Sequence, residues 1–192
     1  MRDKLSGAGP GESPLIVLAI SGSLRAASSN RTLLEAAAAL APPSVTVRLS
    51  DHLATLPHFN PDLDGPARPP EAEAWRAAAG GADGLLLSIP EYAHGMPGAF
   101  KNGLDWLVSD PALLNKPIAI WNASARGEHA RASLVEVLRT MSTRIIEPAG
   151  VTLPILDPPL RVATLVETVE LRDMLRHALE SFVLAIRSPG GA

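Results

Sequence analysis

The chain has 192 residues, enough for one domain with a sizeable core, and its 46% hydrophobic and 19% charged residues mark it as globular. Seventeen basic and 20 acidic residues give a net charge of −3, and no basic run exceeds two residues, which argues against a nucleic-acid surface or an anionic-membrane patch. There is no cysteine, so disulfides, thiolate metal sites and cysteine nucleophiles are excluded, and any redox chemistry must come from a bound cofactor.

Residues 1–13 are rich in Gly, Pro and Ser and read as a disordered tail. Residues 14–20 (PLIVLAI) form a continuous apolar run, as expected of a strand buried on both faces. The loop SGSLRAASS follows, then a helix over 30–41 stopped by Pro42 and Pro43. A short strand at 45–49 leads into a connection over 51–70 that carries five prolines. A helix over 71–79 ends at Gly80 and Gly81. The third strand is 84–89 (GLLLSI), and after the loop PEYAHGMPG a helix begins near Pro97 and runs to about Val108. The fourth strand, 117–121 (PIAIW), is followed by the loop NASARGEH and a helix over 130–141. A fifth strand is predicted at 144–147, extending toward Leu153, and a last helix at 165–186. No segment approaches the ~18 apolar residues of a membrane span, and 188–192 again reads as a tail, so a cytoplasmic domain over 14–187 is expected. Strands alternating with helices imply a five-stranded parallel sheet covered on both faces, an α/β three-layer sandwich.

In such sheets ligands bind beyond the carboxyl ends of the strands. Three loops leave those ends, and they hold the unusual residues. In the first, exposed N–H groups and a helix start favour an anion, with Ser23, Ser28, Ser29 and Asn30 as neutral donors and Arg25 as a charged fork. This suits a terminal phosphate; the plainer alternative is that Ser28 or Asn30 simply caps the helix. The second loop runs from Pro90 and Glu91 through Tyr92, the only tyrosine, to Ala93, His94 and Gly95. Tyr92 either lines a flat ring or is partly buried for packing. His94 reads as a solvated loop histidine, because no second histidine or carboxylate with metal spacing accompanies it, and no metal site is expected. In the third loop Ser124 and Gly127 let backbone approach a ligand. Arg126 either meets negative charge on that ligand or pairs with Glu128 at the surface.

These residues resemble a known family. GSLRAASSN is similar to the G-S-x-R-x-x-S-x-N loop of the NADPH-dependent FMN reductases, PEYAHGMPGAFKNGLDWLVS to their P-E-Y…P-G…K-N…D-W segment, and KPIAIWNASARGEHARASLVEVLR to their fourth strand, loop and helix. LPHFNPDLD is similar to their connection after the second strand. The resemblance implies a flavodoxin-like fold binding FMN, with NADPH or NADH as hydride donor and a free flavin, quinone or other small molecule as acceptor. It implies that Ser23, Arg25, Ser28 and Asn30 hold the phosphate. Pro90, Glu91, Tyr92, Ala93 and His94 would line the ring, and Ser124, Arg126 and Gly127 would approach its pyrimidine side. No side chain need be a catalytic acid or base; Arg126 alone is a candidate. Ala93 stands where the family often has Asn, and Gly95 where it often has Ser. The rival readings are a flavodoxin-type electron carrier and a non-catalytic FMN-binding module.

A homodimer, or a homotetramer built from it, is also expected. Met96, Phe100, Leu104, Trp106 and Leu107 point in more than one direction at 100° per residue, so one apolar face is predicted to remain for an interface.

Overall fold

In the computed structural model residues 14–154 and 160–188 are described; the predicted tails, Ser188 apart, lie outside them. The strands are β1 (Leu15–Ser21), β2 (Val45–Ser50), β3 (Gly84–Ser88), β4 (Pro117–Asn122), β5 (Arg144–Ile145) and β6 (Val151–Thr152). The helices are α1 (Ser29–Leu40), α2 (Pro70–Gly80), α3 (Gly98–Asp105), α4 (Glu128–Thr140), α5 (Val162–Glu167) and α6 (Val169–Arg187). The sheet order is β2-β1-β3-β4-β5, with all pairs parallel. This is the flavodoxin-like order, whose switch point lies between β1 and β3.

Strand alternation sorts the core into two halves. Leu18 and Ile20 of β1 and Leu85 and Leu87 of β3 pack with Trp75, Phe100, Leu104, Leu134 and Leu138, under α2, α3 and α4. Val17, Ala19 and Leu86 pack with Leu33, Leu34, Leu175, Leu179 and Phe182, under α1 and α6. Both faces are therefore covered, and the strands read as unbroken apolar runs for that reason. Gly84 is required by this packing: a Cβ there would lie 2.8 Å from the Phe182 ring.

Two predicted elements are divided. The fifth strand stops at Ile145, because Pro148 sits in a 3-10 turn over Glu147–Ala149; the chain then returns to β4 as β6, pairing Trp121 with Val151. The last helix is broken at Thr168, whose extended backbone (φ −70°, ψ 117°) separates α5 from α6. Both changes lie away from the carboxyl ends of β1 and β3.

Most of the large apolar residues after Pro97 turn inward, Val108 excepted. Phe100, Leu104, Trp106 and Leu107 are all buried in the protomer's own core, since the helix is held between the sheet and the 51–70 connection. Those four side chains are therefore not free to form the interface expected on that helix. Asn102 clamps the connection: its Oδ1 accepts from the Phe59 N–H at 2.7 Å and its Nδ2 donates to the Pro57 carbonyl at 2.9 Å. The Trp106 indole donates to the same carbonyl at 2.9 Å. Lys101 pairs with Asp105 along the helix.

The same region holds a charge cluster. Asp64 accepts from the Ser109 hydroxyl and from Arg68, and lies 3.3 Å from Arg76. Arg76 is itself buried and donates to the Trp106 carbonyl and Ser109. The Ser109 hydrogen bond, with Arg68 and Arg76, holds the Asp64 carboxyl below its ordinary range against the opposing effect of burial.

Candidate active site

Parallel strands place the carboxyl ends of β1, β3 and β4 on one edge, so the three loops of interest start side by side. Residues 22–28 leave β1, 89–97 leave β3, and 123–127 leave β4.

The first loop is anchored to the second strand end that matters. Gly22 N–H donates to the Ser88 carbonyl at 2.8 Å. A Cβ on Gly22 would stand 2.8 Å from the Ile89 side chain, so only glycine allows this approach. Asn30 Oδ1 accepts from the buried Ser88 hydroxyl at 2.9 Å. Ser28 is the N-cap of α1, its hydroxyl accepting from Arg31 N–H at 3.3 Å. The capping alternative therefore holds for Ser28, while Asn30 ties the loop to β3. Ser23 Oγ accepts from the Arg25 N–H at 3.4 Å, curling the backbone so that the Arg25 side chain is left at the surface. Among the described residues Arg25 has no carboxylate partner. It borders two open grooves. One, of about 340 Å³, lies against Gly22, Leu24, Tyr92, Pro97 and Gly98. The other, of about 200 Å³, runs between Ser21, Ser23 and the end of β2 at Ser50 and Asp51.

The second loop contains a tight reversal. Tyr92 and Gly95 exchange backbone hydrogen bonds at 3.0 Å, and the two residues between them, Ala93 and His94, have φ of 49° and 60°. Such a turn favours Gly, Asn or Asp at both central positions. Ala93 adopts it without that preference, which is the physical meaning of the alanine where the resembling family often has asparagine. The turn pushes Tyr92 outward. It is 50% exposed and borders the same groove as the still more open Leu24, so it is a surface aromatic at the mouth of the groove and not a packing residue.

The third loop turns at Gly127, whose φ of 151° suits glycine. Ser124 Oγ accepts from the Arg126 N–H at 3.1 Å, and Arg126 is exposed. Its expected surface alternative, a pair with Glu128, is not among the ion pairs of the described residues.

Two contacts between the second and third loops escape a reading of the sequence. Glu91 Oε2 accepts from the Ala130 N–H at 3.0 Å, in the first turn of α4. His94 and His129 meet edge to face with ring centroids 4.5 Å apart. His94 is thus solvent-facing, as expected, but it does have a histidine neighbour. Glu91 Oε1 is 3.8 Å from its Nδ1. Nothing in linear spacing brings positions 91, 94 and 129 together; the parallel β3–β4 pairing does. Among the described residues no group of three or more potential ligands is placed to hold a metal ion, and no helix is long and apolar enough to cross a membrane.

The arrangement combines a guanidinium among hydroxyls, an open aromatic, and a glycine turn with a second guanidinium, neither guanidinium paired with a carboxylate among the described residues. Among the groups with a redox function, this donor set fits a flat ring carrying a phosphate tail. The chain has relatives that bear on this. A family model described as NADPH-dependent FMN reductase matches residues 15–155. An NAD(P)H-dependent FMN reductase of Pseudomonas aeruginosa is 40% identical over 111 residues, 57% of this chain and 60% of that protein. A probable NADPH:quinone oxidoreductase of Oryza sativa subsp. japonica is 32% identical over 185 residues, 90% of this chain and 91% of that one. A quinone reductase of Escherichia coli is 33% identical over 113 residues, 60% of its length. Among solved structures, the flavoenzyme NAD(P)H:(acceptor) oxidoreductase FerB of Paracoccus denitrificans superposes with a TM-score of 0.73 over 92% of this chain and all of that one, at 24% identity, a likeness of fold. With three-quarters of its length inside the family model and all three strand-end loops within the matched stretch, the chain belongs to the NADPH-dependent FMN reductase family.

Proposed function

We propose that the protein is an FMN-dependent oxidoreductase that takes electrons from NAD(P)H and passes them to a small acceptor, a quinone or a free flavin. The observation that carries this reading is the convergence of the Arg25 loop, the Tyr92 turn and the Gly127 turn on one sheet edge, with both guanidiniums free of carboxylates among the described residues. FMN, when bound, supplies the two-electron relay between donor and acceptor. The chain supplies binding and orientation. Arg25 and the Ser23 and Ser28 hydroxyls would hold the phosphate, with α1's N-terminus behind them. Asn30 serves that loop by fixing it to Ser88, and its amide is adjacent for a further contact. Pro90, Tyr92, Ala93 and His94 would form one side of the ring slot, chiefly through backbone. Ser124, Arg126 and Gly127 would form the pyrimidine side, where Arg126 is suited to meet negative charge. The names of the relatives in Pseudomonas and Oryza support the donor and the acceptor classes.

A homodimer, or a tetramer built from it, belongs to the same proposal. Its support is now the open apolar pair Leu24 and Tyr92 at the groove mouth, which a second subunit would cover to complete the slot. A cytoplasmic location is proposed on composition alone.

The test is a comparison of flavins. FMN should bind non-covalently and more tightly than riboflavin or FAD, and the loaded protein should oxidise NAD(P)H rapidly with a quinone present. Equal affinity for riboflavin would remove the phosphate assignment. A protein that binds FMN but oxidises no NAD(P)H would be an electron carrier or binding module. Sedimentation of the loaded protein as a monomer would remove the dimer.

A further inference from the structure

Glu91 is the one acidic side chain of the three loops that is drawn inward, and it faces neither groove described above. Its side chain is 20% exposed, against 78% for that of the neighbouring His94. Oε2 accepts from the Ala130 N–H at 3.0 Å, satisfying one of the four N–H groups that the start of α4 leaves without an intrahelical partner. The N-cap residue of α4 is Gly127, which has no side chain to do this itself. A helix N-terminus is normally capped from its own preceding residues; here the cap comes from 39 residues away, on another strand's loop. The contact also sits against the turn: the Gly127 Cα is backed by the Glu91 Cβ, 3.9 Å from where a Gly127 Cβ would stand.

From this we infer that Glu91 is a positioning residue that sets the width of the slot between the second and third loops, so that the slot is formed before a flavin ring enters it. The inference rests on the proposed FMN site. It differs from a ring-lining role for the Glu91 side chain, because both carboxylate oxygens are directed at α4 and His94. The physical consequence is specific. Losing the tie frees the 123–127 loop to drift from the Tyr92 turn, and re-forming the slot then costs ordering entropy at each binding event. That cost falls on the ring, whatever the tail carries.

Ring and tail are separable by experiment. In Glu91→Ala, FMN and riboflavin should both lose about tenfold in affinity, by a common factor, because the cost of re-ordering the slot falls on the ring they share. Amide exchange at Ala130 should accelerate in the same variant without ligand. Glu91→Gln keeps an acceptor oxygen of the same reach and should restore most of the affinity and the Ala130 protection. Glu91→Asp, one methylene shorter, should not. If Glu91→Ala folds with faster Ala130 exchange but binds both flavins as the wild type does, Glu91 is only a helix cap and the inference falls. A loss confined to FMN would place Glu91 at the phosphate end and also overturn it. Should the Ala variant fail to fold, the Gln and Asp pair decides by the same two readouts. Wild-type protein that binds no flavin would bring down the site itself along with the inference, a result recognisable before any variant is made.

Discussion

At the scale of single residues, the proposed site draws on side chains that have no structural partner among the described residues and on others that have one. Arg25 is of the first kind. It is exposed, forms no ion pair among the described residues, and borders both grooves. Arg25→Ala should therefore leave stability nearly unchanged and weaken FMN roughly 10- to 100-fold, the worth of a charged hydrogen bond of about 1.5–3 kcal/mol. Riboflavin should bind the variant and the wild type alike in a fluorescence titration; a parallel loss for riboflavin would move Arg25 to the ring. Ser28 and Asn30 are of the second kind. Composition singled out both as phosphate donors, and the structure gives each a prior task, capping α1 and holding Ser88. Substituting them would mix folding with binding, which makes Arg25 the cleaner probe.

At the scale of elements, what was legible in the chain follows from local physics. Continuous apolar runs exposed β1, β3 and β4, because a strand covered on both faces has no polar alternation to disguise it. The fifth strand is shorter than its apolar run implies, since its pairing depends on a turn around Pro148 that lets two short pieces flank β4. The break in the C-terminal helix leaves no sequence signal, since Thr168 interrupts it without proline or glycine. The apolar residues of α3 were counted correctly, yet their destination was not, because the cover comes from a connection more than 40 residues earlier in sequence. For the same reason the P-E-Y…D-W segment divides in two. Its first half forms the turn at the groove, and its second half, Lys101 to Trp106, is scaffold. Asn102→Ala tests that division. It leaves the Phe59 N–H and the Pro57 carbonyl short of a partner and should cost about 1–3 kcal/mol in chemical denaturation, with FMN affinity unchanged. Weaker FMN binding at full stability would return Asn102 to the site. The Glu91–Ala130 and His94–His129 contacts were invisible for a related reason, since only the pairing of β3 with β4 brings those loops together.

At the scale of the whole molecule, the site edge and the charged cluster do separate jobs. The Asp64–Arg68–Arg76–Ser109 cluster pins the long connection against the end of α3. Its Asp64 carboxyl is held below the ordinary range, first by the Ser109 hydroxyl and then by the two arginines. A group with a depressed folded pKa adds stability that is present above its unfolded pKa and lost as pH falls through the folded one. Denaturation followed from neutral to acid pH should show that loss, and Asp64→Asn should flatten it while lowering stability at neutral pH by about 1.5 kcal/mol, the worth of a charged hydrogen bond, since Arg76 keeps Asp110 at 3.5 Å. A variant with the wild-type acid profile would assign the pH dependence to other carboxylates.

The central proposal is that the three-loop edge binds a flavin and exposes it to a donor, and one measurement tests that directly. Purified protein loaded with FMN and freed of excess should show a bound-flavin absorption spectrum that bleaches when NADPH or NADH is added without oxygen, and that returns when a quinone follows. A protein that retains no FMN after desalting, or one whose bound FMN stays coloured under excess NADPH and NADH, would contradict it.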